Sequence, residues 1–182
     1  VRHHAQAGQR LLWVGVGFDG LGRALLSQEP GARVIETDHP DTLARRHALV
    51  DGAEVTSMAL ALPGQHDALA SLCRPGPTTL VCEGLLMYLP LLQVQATLRV
   101  LAGAPEPPRL LFTALDTEVT GGRGFRRRAP LMRRWLAWRG EPFLWRARPA
   151  SVRDFLADVG YRRTDLWDGE DFGEYGIEAE SV

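Results

Sequence analysis

Residues 11–20 constrain this chain more than any other stretch. Four apolar residues, Leu11, Leu12, Trp13 and Val14, run directly into Gly15, Val16, Gly17, Phe18, Asp19 and Gly20. An apolar run of this length, closed by glycine, reads as a strand buried on both faces. Residues 21–27 then have helical spacing and are stopped by Pro30 and Gly31. A second strand, residues 33–37, ends among two carboxylates, Glu36 and Asp38. Strand, glycine turn, helix, strand and carboxylate is the order in which an α/β domain holds an adenosine-containing ligand.

The alternation continues nearly to the end. Helix is expected from about 41 to 50, a weak strand at 55–60, helix at 65–73, strand at 78–82, helix at 91–101 and a strong strand at 109–115. Single helices between strands imply parallel pairing with right-handed crossovers and helices on both faces. Ligands in such sheets sit beyond the carboxyl ends of the strands, which directs attention to Gly15 to Asp19, Asp38, Leu60, Glu83 and Asp116. Beyond a glycine turn at 121–124 the texture changes. Arginines crowd 123–134, and Leu131, Trp135 and Trp138 form an apolar stripe at helical spacing that reads as core packing. Ser151 with Asp154 resembles a capping box, residues 161–167 read as a late strand, and the acidic tail from Glu170 to Glu180 reads as solvated and partly mobile.

Composition removes several classes. With 182 residues and 45% hydrophobic content, one domain with a real core is the natural outcome. A net charge of −1 argues against a nucleic-acid or anionic-membrane partner, and no apolar run approaches the ~20 residues of a membrane span. Cys73 and Cys82 have neither metal nor disulfide-framework spacing. A soluble cytoplasmic protein is the expectation.

Asp19 separates two cofactor classes. Gly15, Gly17 and Gly20 formally match the dinucleotide fingerprint. A pyrophosphate on that loop would meet the Asp19 carboxylate, at a cost of about 1 kcal/mol or more at contact distance even in water. S-adenosylmethionine has no phosphate and carries a sulfonium and an ammonium, which an acidic loop suits. Asp19 could also simply cap the following helix, and the two roles are compatible.

The third informative stretch is Val81, Cys82, Glu83, Gly84, Leu85, Leu86, Met87, Tyr88, Leu89 and Pro90. With the Gly15 to Asp19 loop, with Thr37, Asp38, His39 and Pro40, and with Trp135, Leu136, Arg139 to Pro142 and residues 149–161, it resembles the leucine carboxyl methyltransferase family. That family includes bacterial S-adenosylmethionine-dependent O-methyltransferases of the polyketide-biosynthesis type. The resemblance implies a class I methyltransferase fold over residues 1–182. It predicts a mostly parallel seven-stranded sheet with one antiparallel strand near an edge, and an insertion at roughly 117–150 shaping the substrate side. It assigns Gly15 and Gly17 to close backbone approach to the cofactor, Asp38 to the ribose hydroxyls and Glu83 to the amino-acid moiety. Asp19 joins them as the acidic loop residue. Where the family has an Asp-Leu pair for the adenine, this chain has Ala59 and Leu60, which retains only the apolar half. The family's N-terminal helical cover is expected to be missing, with Arg2 or Arg10 as its remnant.

The function expected is an S-adenosylmethionine-dependent O-methyltransferase acting on a small-molecule carboxylate or hydroxyl. No histidine stands out as a general base and lysine is absent from the chain. A carboxylate acceptor, which needs no base, is therefore mildly preferred, and the arginine cluster could attract an anionic one. No catalytic residue and no metal ligand is assigned. Two alternatives stay open: a nicotinamide-dinucleotide-dependent oxidoreductase, and a degenerate, non-catalytic cofactor-binding member of the methyltransferase family.

Overall fold

A computed structural model describes residues 10–29, 31–49, 55–74, 76–116, 138, 140, 142–168 and 174–181. Within them the chain runs β1 (Arg10–Val14), α1 (Leu21–Gln28), β2 (Arg33–Asp38), α2 (Pro40–Leu49), β3 (Thr56–Ala59), α3 (His66–Leu72) and β4 (Thr78–Cys82). A 3-10 turn (Leu86–Tyr88), α4 (Leu91–Ala102), β5 (Arg109–Leu115), α5 (Pro149–Asp158), β6 (Arg163–Asp168) and β7 (Glu174–Glu180) complete it. The seven strands form one sheet in the order β3-β2-β1-β4-β5-β7-β6. Neighbours from β3 through β5 pair in parallel, and β7 alone runs antiparallel, to β5 on one side and β6 on the other. The expected mostly parallel α/β sheet is the one observed.

Alternation within β1 sorts the core into two layers, because successive side chains leave a strand on opposite faces. Leu11 packs with Leu25, Val34 and Val55, and Trp13 with Val16, Leu43, Val81 and Leu111, under α1 and α2. Leu12 and Val14 face the other way, into a larger cluster with Leu80, Cys82, Phe112, and residues of α3, α4 and α5 such as Leu69, Leu98 and Leu156. The strand order reverses between β1 and β4. That switch point opens a crevice at the carboxyl ends of the two strands, where Gly15 and Gly84 lie.

Three sequence expectations are corrected. The acidic tail is not a mobile appendage over residues 174–180; it is β7, a strand inside the sheet. Ile177 and Ala179 are fully buried and pair with Phe112 and Leu110. Glu178 and Glu180 point from the opposite face, where Arg109 forms ion pairs with both. The apolar residues alternate with the acids, so the charge density masked a period of two. Helix α5 also begins earlier than the Ser151/Asp154 box implies. Pro149 occupies its first turn, and Ser151 Oγ donates back to the Arg148 carbonyl (3.3 Å). Trp138, read as part of a buried stripe, is 81% exposed. Leu131, Trp135 and the arginines at 123–134 lie outside the described residues.

Candidate cofactor site

The glycine loop leaves β1 at the switch point in a conformation that only glycine adopts readily. Gly15 has φ 72° and Gly17 φ 51°. Gly15 is also close-packed: a Cβ there would stand 2.8 Å from Leu85 Cδ1, on the loop that follows β4. The amides of Gly15 and Val16 both donate to the Thr37 carbonyl, at 2.8 and 3.3 Å, which ties the loop to the end of β2.

Asp38 stands at that end. Its Oδ2 accepts from the Gly17 amide (2.7 Å) and its Oδ1 from the His39 amide (2.6 Å). A carboxylate offers about four acceptor positions, so roughly two remain for a ligand. Leu60, buried after β3, donates its amide to the Asp38 carbonyl (2.9 Å) and so braces the same corner.

A cleft of about 470 Å³ opens over this corner. Gly15, Gly17, Asp38 and Thr42 form one side, and Gly84, Leu85 and Tyr88 another. Pro142 and Leu144 line a third side. The last two belong to the stretch that precedes α5, and that stretch is fastened down. The amides of Leu144 and Trp145 donate to the Met87 carbonyl at 2.7 and 3.1 Å, and the Ala147 amide to Leu115. Phe143 packs at a tilt against Tyr88 with ring centroids 5.4 Å apart, while Trp145 packs between Phe112 and Phe155.

Gly15, Gly17 and Asp38 thus meet in one cleft. Asp19, Leu60 and Glu83 flank it without lining it. Asp19 Oδ1 accepts from the Leu21 amide two residues on (2.8 Å), an Asx turn leading into α1, whose N-cap is Gly20. Glu83 is exposed just after β4, and the adjoining Gly84 amide donates to Thr113 Oγ1 (2.9 Å). His39 is exposed, and its Nδ1 accepts from the Asp41 amide at the start of α2.

The sequence pairs Glu36 with Asp38 as the acids ending β2 but does not show that Glu36 is buried with Arg46; these are the most deeply buried charges among the described residues. Glu36 and Arg46 are each 1% exposed and form a two-pronged ion pair, Nε to Oε2 at 3.1 Å and Nη2 to Oε1 at 2.8 Å. The third Arg46 donor, Nη1, reaches the Gly17 carbonyl (3.1 Å). A carboxylate in mid-strand two residues before Asp38, and an arginine on the buried face of α2, were the available signals.

Among the described residues, three buried groups have raised pKa values. Burial pushes the Cys73 thiol up to about 11, with Arg10 acting weakly the other way. Burial also raises the Cys82 thiol and the Tyr161 phenol. No cluster among the described residues could hold a metal ion.

A parallel sheet in this order, with one antiparallel strand inserted next to the edge and a glycine-loop crevice at the switch point, is the class I methyltransferase fold. Solved structures bear this out. A human N-acetylserotonin methyltransferase bound to S-adenosylmethionine superposes with a TM-score of 0.62 at 14% identity, over 94% of this chain and 47% of its own. An O-methyltransferase family protein from Burkholderia thailandensis gives 0.64 at 14%, over 98% and 52%. The N,N-8-amino-8-demethyl-D-riboflavin dimethyltransferase of Streptomyces davawensis gives 0.61 at 18%, over 96% and 50%. The chain therefore spans about half the length of the solved structures it matches. No family model and no curated protein matches the sequence. At these identities the likeness establishes the fold, and one fold here carries enzymes named for oxygen and for nitrogen acceptors.

Proposed function

We propose that the chain binds S-adenosylmethionine and serves as an O-methyltransferase for a small-molecule carboxylate or hydroxyl. Asp38 carries this reading: a carboxylate at the end of β2, oriented by two backbone amides, presents spare acceptor positions to the cleft. Neighbouring ribose hydroxyls are the donors it suits, because hydrogen bonds to an ionised acceptor are the strong ones. The cleft volume of about 470 Å³ lies within the usual small-molecule range of ~300–1,000 Å³. The amides of Gly15, Val16, Gly17, Asp19 and Leu21 are all engaged within the protein, which disfavours a pyrophosphate on this loop and with it the dinucleotide alternative. Asp19 and Glu83 add negative charge beside the cleft, on the side that a cationic cofactor prefers.

When bound, the cofactor supplies an electrophilic methyl group on a sulfonium. The protein's own part is then positioning. Gly15 and Gly17 let the backbone approach closely and Asp38 fixes the ribose, while Leu60, buried in the core, braces the Asp38 corner from behind. Leu85, Tyr88, Pro142 and Leu144 form a largely apolar wall that excludes water and presents the acceptor. None of the described residues lining the cleft is a histidine, lysine, arginine or cysteine. An acceptor that needs no deprotonation fits that wall, which favours a carboxylate, in line with the resemblance of residues 81–90 to the leucine carboxyl methyltransferase family. A cytoplasmic location is part of this reading.

Calorimetric titration tests it. Binding of S-adenosylhomocysteine with no binding of NAD(H) or NADP(H) is expected, followed by methyl transfer within a panel of organic acids and phenols. Nucleotide binding without S-adenosylhomocysteine binding would refute the proposal. Tight cofactor binding with no transfer across the panel would favour the non-catalytic alternative.

A further inference from the structure

The Glu36–Arg46 pair invites a reason beyond stability. Taking two charges out of water costs several kcal/mol per ion, and well-packed apolar residues often do as well or better in such places. Both side chains are almost completely buried. Helix α1 is even shaped around them: a Cβ at Gly22 would stand 2.7 Å from Glu36 Oε1, so only glycine leaves the carboxylate its place.

What an apolar pair cannot supply is the third donor of Arg46. Nη1 binds the Gly17 carbonyl (3.1 Å), while the Gly17 amide is held by Asp38 Oδ2 (2.7 Å). The amide and the carbonyl of Gly17 belong to successive peptide planes. With both pinned, the backbone angles between them are set, at the residue type with the most freedom to wander. The two anchors have a common origin, since Glu36 and Asp38 project from the same face of β2. Glu36 grips Arg46, Arg46 grips the far side of Gly17, and Asp38 grips the near side. The circuit starts and ends on one strand.

We infer that Glu36 and Arg46 are positioning residues that hold the glycine loop, and through it the Asp38 carboxylate, in the conformation that receives the cofactor. This inference rests on the cofactor reading above. It explains why a charged pair is kept where packing alone would accept leucine or methionine. It also predicts a separation of effects: loosening the clamp weakens cofactor binding without unfolding the protein.

The test is the double variant Glu36→Leu/Arg46→Met, which removes both buried charges together and leaves neither unpaired. A folded protein with a thermal midpoint near that of the parent is expected. Its Kd for S-adenosylhomocysteine should rise at least about tenfold, and amide hydrogen exchange across residues 15–18 should accelerate. In turnover, the KM for S-adenosylmethionine should rise while kcat at saturation changes little. Arg46→Lys is the second variant: its ammonium can neutralise Glu36 but cannot fork to it and also reach Gly17, so a smaller loss of affinity is expected. A folded double variant, or Arg46→Lys if the double variant does not fold, with Kd within twofold of the parent and unchanged loop exchange would overturn the inference. If the parent itself fails to bind S-adenosylhomocysteine, the cofactor reading falls and takes this role with it. The exchange of residues 15–18 would still report whether the clamp holds the loop.

Discussion

Replacing Asp38 is the sharpest single perturbation of this site. In Asp38→Ala the amides of Gly17 and His39 lose acceptors at 2.7 and 2.6 Å, and under the proposed function a bound ribose would lose its partner as well. The two orphaned amides are unpaired in free and bound protein alike and lower stability, whereas the lost ribose bond costs about 1–3 kcal/mol of binding, roughly 5- to 150-fold in Kd for S-adenosylhomocysteine. Asp38→Asn should be almost as damaging despite its matching shape. Its single carbonyl oxygen can serve one of the two amides, and its NH2 group then faces the other donor. The assay is calorimetric titration at fixed pH and salt, with the thermal midpoint recorded to confirm that each variant is folded. Asp41→Ala is the control, because Asp41 carries the same charge one turn away with its side chain 84% exposed. Loss in the Asp38 variants with parent-like affinity in Asp41→Ala supports direct contact. An Asp38→Ala protein within twofold of the parent would refute the assignment, and equal losses at both positions would replace contact with a general field effect.

Gly15→Ala should lower both stability and cofactor affinity, since the left-handed backbone costs a non-glycine residue roughly 1–2 kcal/mol and the new methyl group meets Leu85; a parent-like urea midpoint would show that the loop can relax. Ile177→Ala should cost about 2–5 kcal/mol in urea unfolding because Ile177 is fully buried against β5, whereas a mobile acidic tail would leave the midpoint unmoved. Alkaline pH should destabilise the protein. The Cys73 thiol titrates near 9.0 when exposed and near 11 when folded, so between those values the unfolded state binds fewer protons and stability falls with rising pH. The slope from this one thiol approaches about 1.4 kcal/mol per pH unit, and Cys73→Ala should flatten that part of a pH series of unfolding midpoints.

Much of the fold was legible in local pattern. Strands β4 and β5 fall where the apolar runs place them, and β1, β2 and α4 lie within a residue of the expected bounds. Their signals are short-range: apolar runs, glycine and proline stops, and helical spacing. β7 escaped because its charges were weighed without its alternation. Its burial depends on Arg109, more than sixty residues earlier, to answer Glu178 and Glu180. The tryptophan stripe misled for the complementary reason: helical spacing names a face but not what covers it, and Trp138 is exposed.

The site divides in the same way. A glycine turn after β1 and a carboxylate after β2 are local consequences of residue order, legible without a fold. The role of each acid is settled by packing. Asp19 closes an Asx turn onto the Leu21 amide, Asp38 faces the cleft, and Glu36, two residues earlier on the same strand face, is sealed inside with Arg46. Those fates depend on contacts across the sheet and between helices: Gly22 making room, Arg46 arriving from α2, and Gly17 held between two strangers in sequence. A residue's type states which bonds it can form. Its partners are fixed by packing, and packing is a property of the whole fold.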